Sequence, residues 1–164
     1  MPAYYYDALA LEGYILRYFT HFGVPEADAK MAADVLLSAD ARGVDSHGII
    51  RLSRYYGSRL QKGLIDPLSP MRVTRETPTS VSVDGGNGLG HPVSVKTMKL
   101  VLEKARLAGM AMATVRNSNH YGIAAYYAMM ALSEEMIGIS FTNSGPLVAP
   151  TFGKKAMLGT NPIA

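Results

Sequence analysis

The sequence contains no cysteine, and that absence excludes a disulfide framework, a cysteine-ligated zinc or iron–sulfur centre and a thiol nucleophile. It suits a reducing compartment, so the cytoplasm is the expected location. No apolar run approaches the roughly 18 residues that a spanning helix requires, and Met1 to Asp7 lack a basic stretch leading into an apolar one. No membrane partner is therefore expected. Charge is scarce and nearly balanced, with 16 Lys plus Arg against 13 Asp plus Glu. Without a concentrated basic stripe, the resulting +3 gives little field for nucleic acid, which is not an expected partner. Histidine pairs at the spacing H-x-x-x-H are missing, so no metal is expected. What remains is a core-forming chain of 164 residues, 48% hydrophobic, about one domain in size. Its ten Met and ten Tyr read as core filler and interface residues.

The first third reads as helical. Leu11, Ile15, Phe19 and Phe22 fall on one helix face, which Gly23-Val24-Pro25 ends. Pro25 suits the first turn of a second helix, whose buried stripe is Ala29, Ala32, Ala33, Leu36 and Leu37 and whose stop is Gly43. The pattern predicts a third helix from Asp45 or Ser46 to about Lys62, with Ile49, Leu52, Tyr56 and Leu60 as its apolar face. After the link Asp66-Pro67-Leu68-Ser69-Pro70 the pattern changes. Met71 to Glu76 and Ser80 to Asp84 alternate as short strands, a helix is predicted from Pro92 to Ala108, and Met110 to Val115 reads as a buried strand. A helix from Ile123 to Ser133 and a strand from Met136 to Thr142 complete the pattern.

Chemistry concentrates in Asp45-Ser46-His47-Gly48-Ile49-Ile50-Arg51. On a helix, His47 and Arg51 lie one turn apart and face away from the apolar stripe. Arg pairs bidentately with a carboxylate and His exchanges a proton near neutral pH, which a 2-oxo or 2-hydroxy acid site requires. Ser46 is placed to orient the imidazole. The same spacing also suits a solvated helix face with a capping serine, and spacing alone does not decide. Two polar segments, Arg116-Asn117-Ser118-Asn119-His120-Tyr121-Gly122 and Thr142-Asn143-Ser144-Gly145-Pro146, follow predicted strands, where α/β proteins place ligands and also ordinary turns. The glycine cluster fails the dinucleotide fingerprint G-x-G-x-x-G, because His91 stands where a small residue is needed, and no G-K-[ST] is present. His21 and His91 lack chemical company in the sequence, and His21 reads as a surface residue.

Five blocks carry a resemblance: Arg42 to Gly48 with Arg51, Asp84 to Gly90, Arg116 to Gly122, Thr142-Asn143-Ser144, and Leu158-Gly159-Thr160-Asn161-Pro162. In this order the chain resembles the type-2 malate/L-lactate dehydrogenases, which include sulfolactate dehydrogenase, ureidoglycolate dehydrogenase and Δ1-piperideine-2-carboxylate reductase. The resemblance implies an α/β architecture of the α+β type: a helical N-terminal region plus part of a mixed, largely antiparallel sheet domain that binds NAD or NADP without a Rossmann fold. Residues 1–66 would form the helical substrate and dimerisation region, and 67–164 the first part of the NAD(P)-binding sheet domain. The implied reaction is hydride transfer between the nicotinamide and a 2-hydroxy or 2-oxo acid, in a homodimer. Ser46 and His47 are implied as catalytic, Arg51 as the substrate-carboxylate ligand, and His120, Tyr121, Gly122, Ile123, Ala124 and Thr160 as cofactor-binding. Members of this family are roughly twice as long, so the aspartate completing their Ser-His-Asp relay is expected beyond Ala164. The alternative is a non-catalytic fragment or a dimerisation partner of such an enzyme.

Overall fold

The computed structural model describes residues 5–68 and 70–164; Met1 to Tyr4, and Ser69 of the proline-punctuated link, lie outside them. The chain divides into two compact units, Met1–Ile123 and Ala124–Ala164. The change from helices to strands near residue 66 falls inside the first.

Asp7 accepts the N–H of Ala10 at 2.8 Å and caps α1 (Ala8–His21). Ile15 and Phe19 are fully buried, so the predicted stripe is the core face. α2 (Glu26–Ala41) places Glu26 and Asp28 in its first turn and contributes Ala29, Ala32, Ala33 and Leu36 to the same core, which Leu52, Tyr56, Leu60, Ile65 and Leu89 close.

The third helix is not the continuous rod that the pattern predicts. A 3-10 turn, Asp45–His47, is followed by a break at Gly48 (φ −88°, ψ −148°); the chain resumes as a π-helical segment, Leu52–Gly57, and ends in α3 (Ser58–Gln61). The cause lies in α2. The Asp40 carboxylate accepts the N–H of Ile49 at 2.8 Å, and a Cβ on Gly48 would stand only 1.7 Å from its Oδ1. An amide held by a side chain is withdrawn from the helical ladder. Beyond the break, the wider π turn suits the constant spacing of four between Leu52, Tyr56 and Leu60, all buried.

β1 (Arg72–Glu76) pairs antiparallel with β2 (Ser80–Gly88), Val73 opposite Val83, with a bulge before Arg75. β2 runs past its predicted end at Asp84 into the glycine-rich stretch. α4 (Gly90–Ala108) then crosses over to β3 (Met112–Ser118), which lies parallel to β2 in the order β1-β2-β3. The architecture is α+β with a mixed sheet, one pairing of each sense among the described strands. Gly109, at φ 81°, ends α4 in the left-handed conformation that glycine tolerates best.

The second unit departs from the sequence pattern. α5 (Ala124–Met129) is shorter than the helix predicted over 123–133, and Leu132–Glu134 turns as a 3-10 helix. The strand predicted over 136–142 does not form: Phe141 makes a single bridge to Ile163, and Ile137, Ile139 and Phe141 are exposed. A strand exists by pairing, and here Ser140 and Thr142 find only the short stretch Pro162–Ala164. Among the described residues, no helix is long and apolar enough to cross a membrane.

Candidate active site

Ser46, His47 and Arg51 come together, though not as one helical turn. Ser46 Oγ lies 2.9 Å from His47 Nδ1, and Arg51 Nε donates to the Ser46 carbonyl at 2.6 Å. His47 and Arg51 therefore do not share one helix face: His47 ends a 3-10 turn and Arg51 lies beyond the break at Gly48. The Gly48 break, fixed by Asp40, folds Arg51 back onto the turn that carries His47. The half-buried His47 titrates below its ordinary value, first because burial disfavours the imidazolium and second because Arg51 stands beside it.

His120 joins this pair. Its ring stacks on His47, centroids 5.4 Å apart and planes 28° apart, with Tyr55 at 5.2 Å. Its Nδ1 accepts the backbone N–H of Gly122 at 3.1 Å and lies 2.7 Å from the Tyr56 hydroxyl. An amide can only donate, so Nδ1 carries a lone pair, Tyr56 also donates to it, and the neutral ring bears its proton on Nε2. Burial, then Arg51, His47 and Arg59, push His120 down to about 4. Both histidines are therefore neutral at pH 7, in a field set by two guanidiniums. Those guanidinium carbons lie 5.7 Å (Arg51) and 4.4 Å (Arg59) from the centre of the Tyr55 ring. Among the described residues no carboxylate forms an ion pair with either arginine.

His91, which has no chemical partner in the sequence, proves to be fully buried at the start of α4, its ring centre 4.6 Å from that of Tyr56. Neither of its ring nitrogens has a hydrogen-bond partner, and burial, followed by the charge on His120, pushes it down to about 3. It forms a wall behind Tyr56 and Gly122. Gly122 adopts φ 84°, and a Cβ there would approach Val35 Cγ1 to 2.6 Å. His21 is exposed against Phe22, in line with its surface reading.

Most donors of the 116–122 segment serve the fold. Arg116 pairs with Asp84 at 3.2 Å, Asn117 Nδ2 donates to Asp84 at 3.0 Å, and Asn119 Nδ2 reaches the carbonyls of Asn87 and Gly88, each at 3.0 Å. The Asn117 hydrogen bond, then the Gly86 N–H, hold Asp84 below the usual carboxylate range. The glycines admit this second backbone: a Cβ on Gly90 would stand 2.1 Å from the Asn119 carbonyl oxygen. The glycine cluster thus accommodates close backbone packing, which is why it lacks the phosphate-loop pattern. The concavity of about 370 Å³ in the first unit opens on the sheet, between Thr74, Ser82 and Thr114, away from the histidines.

Of the residues matched to a cofactor loop, His120 and Gly122 reach the histidine cluster, and Tyr121 and Ile123 continue the same segment. Ala124 and Thr160 belong to the second unit, where the Thr160 N–H donates to Ser144 Oγ at 2.9 Å and the Ser144 N–H to Asn161 Oδ1 at 3.0 Å. Among the described residues, no three His, Asp or Glu side chains converge to hold a metal ion. The sequence reading missed Asp40, Tyr55, Tyr56, Arg59 and His91. Asp40 and Tyr56 lie on recognisable helical stripes, but the polar end of each side chain acts across the fold.

Fold and site define an α+β chain outside the doubly wound class, with a histidine–arginine cluster where its helical part meets the segment after β3. The family model described as malate/L-lactate dehydrogenase matches residues 6–164, and the chain belongs to that family. It is 53% identical over 155 residues to a malate dehydrogenase of Pyrococcus abyssi, covering 94% of this chain and 42% of that one. It is 45% identical over 150 residues to an L-sulfolactate dehydrogenase of Methanocaldococcus jannaschii, covering 92% and 43%. The solved malate dehydrogenase of Pyrococcus horikoshii superposes with a TM-score of 0.91 at 49% identity, over 98% of this chain and 48% of that one. The chain spans less than half the length of these relatives.

Proposed function

We propose that the chain is the substrate-reading part of an NAD(P)-dependent oxidoreductase that moves a hydride between a nicotinamide and a 2-hydroxy or 2-oxo acid such as malate or lactate. The observation that carries this reading is the convergence of His47 and Arg51 on Ser46. Arg51 has its terminal N–H groups left to fork a carboxylate. With Nδ1 against Ser46, His47 uses Nε2 to give a proton to the carbonyl oxygen in reduction and to take the hydroxyl proton in oxidation. A bound carboxylate offsets the Arg51 charge that depresses His47, which returns the imidazole toward a working pKa.

We assign His120, Tyr121, Gly122, Ile123, Ala124 and Thr160 to holding NAD or NADP, which supplies or accepts the hydride when bound. The donor chemistry of His120 fits a nicotinamide: held neutral, it offers an N–H at Nε2 without adding positive charge beside a ring that is cationic when oxidised. Residues 1–66 then read substrate and pair subunits, and 67–164 open the cofactor-binding domain of a cytoplasmic homodimer. These assignments rest on the family. The second reading is a non-catalytic fragment or a dimerisation partner of such an enzyme.

Titrating the 164-residue chain with NADH, by nicotinamide fluorescence, and assaying reduction of oxaloacetate and pyruvate separates the two. Turnover that His47→Ala abolishes while NADH affinity persists supports the enzyme. NADH binding without turnover supports the second reading. Wild-type turnover in His47→Ala overturns the acid/base assignment.

A further inference from the structure

We infer that Asp40 is a positioning residue of the site: through one hydrogen bond to the Ile49 backbone its carboxylate sets where His47 and Arg51 stand relative to each other, acting as an acceptor and not as a charge. The pair it sets is the one on which the proposed function rests. No hydrogen bond or ion pair joins Asp40 to either side chain among the described residues, so it works only through the backbone. The segment has no continuous ladder to hold it. Before the break, the Val44 N–H reaches back to the Ala39 carbonyl and the His47 N–H to that of Val44, each at 2.9 Å. After it, the Arg51 N–H reaches only to the Gly48 carbonyl at 3.0 Å, and the Leu52 N–H to that of Ile49 at 2.9 Å.

Two side-chain hydrogen bonds cross Gly48: the Ile49 N–H to Asp40 at 2.8 Å, and Arg51 Nε to the Ser46 carbonyl at 2.6 Å. They differ in stiffness. Arg51 reaches Ser46 over a long stem with many rotamers, which follows its backbone rather than directing it. Asp40 has two side-chain torsions and stands on the last turn of α2 beside the fully buried Ala39, so it ties the chain beyond the break to the core. Its second oxygen lies against the other side of the break, in the space a Cβ on the buried Gly48 would fill. The carboxylate forms no ion pair among the described residues, and burial, reinforced by Asp45, raises its pKa in spite of the Ile49 N–H. Its lone pairs are used and its charge is not.

NMR titration of the His47 ring in the 164-residue chain tests this, together with calorimetric titration with L-malate and circular dichroism to verify each fold. Asp40→Ala should free Arg51 from the turn, so that His47 titrates about half a pH unit higher, the effect of one unit charge about 6 Å away in a medium of water-like dielectric constant. The sign is diagnostic, because removing a nearby carboxylate charge by itself lowers an imidazole pKa. Gly48→Ala, which displaces the carboxylate but keeps its charge, should raise His47 likewise. Asp40→Asn keeps an acceptor for the Ile49 N–H and should leave His47 near its wild-type value and L-malate affinity within about threefold, whereas Asp40→Ala should weaken L-malate about tenfold, as for one lost hydrogen bond. Asp45→Asn removes a charge from the same turn and should not raise His47. In wild type, which depends on no variant folding, the Ile49 amide should exchange with solvent at least about tenfold more slowly than in an unstructured chain. An unprotected Ile49 amide, a His47 that falls or stays in Asp40→Ala, or an Asp40→Asn that behaves as Asp40→Ala overturns the role of Asp40. A rise of His47 in Asp40→Ala with L-malate affinity unchanged upholds that role and overturns instead the reading of Arg51 as the carboxylate ligand.

Discussion

Replacing His91 by leucine should make the fold less sensitive to acid. His91 is fully buried, both its nitrogens are unpartnered, and burial pushes it from the ordinary 6.5 down to about 3. In the unfolded chain it titrates near its ordinary value. Between the two values the unfolded state holds the proton and the folded state does not. Stability from this group is therefore complete above pH 6.5, declines as pH falls, and reaches its floor below about 3. Each pH unit within that window removes about 1.4 kcal/mol. At about pH 4.5 His91 alone has taken about 3 kcal/mol, a large share of the roughly 5–15 kcal/mol of a typical domain. His120, pushed down to about 4, acts in the same direction over a narrower window. Leucine is close to histidine in volume, is a better helix former in α4, and removes two orphaned nitrogens whose burial costs about 1–3 kcal/mol each. Urea unfolding followed by far-UV circular dichroism at pH 7 and about pH 4.5 measures the difference. The variant should match or exceed wild type at pH 7 and should lose about 3 kcal/mol less on acidification. Equal acid losses in the two proteins would refute the assignment of this lability to His91.

Gly48→Ala should cost about 1.5–3 kcal/mol, because its Cβ would displace the Asp40 carboxylate and release the Ile49 N–H. Thermal unfolding measures this, and an unchanged midpoint would show that Asp40 does not pin the turn. Tyr56→Phe removes the hydroxyl that donates to His120 Nδ1, so His120 should titrate higher and the fold should lose about 1 kcal/mol. An NMR titration of the His120 ring that does not move would reassign that hydrogen bond.

The helical stripes of α1 and α2 were legible because they follow from local spacing, and Ile15, Phe19, Ala29, Ala32, Ala33 and Leu36 are buried as the pattern requires. The third helix was misread at one residue. Only the proximity of Asp40, eight positions earlier in the chain, makes Gly48 a break rather than a helical residue. The site shows the same division. Ser46, His47 and Arg51 are visible as a chemical set within six residues, whereas the Tyr56 hydroxyl meets His120 across 64 positions. The strand predicted over 136–142 failed for a related reason: alternation records a preference for a sheet face, but only a neighbour turns that preference into a strand.

The Asn119 amide, which joins residues 87 and 88 to residue 119, has a consequence for the order of assembly. The turn holding His47 and Arg51 needs only α2 and can close early, as a short-range contact. His120 arrives by another route. It reaches the cluster only after α4 has spanned the crossover and the parallel strands have paired, a long-range closure that is intrinsically slower. During refolding, His47 should therefore meet its arginine before it meets its second histidine. Arg51 then depresses His47 as soon as that turn closes, whereas the field on His120 belongs to the last stage of folding.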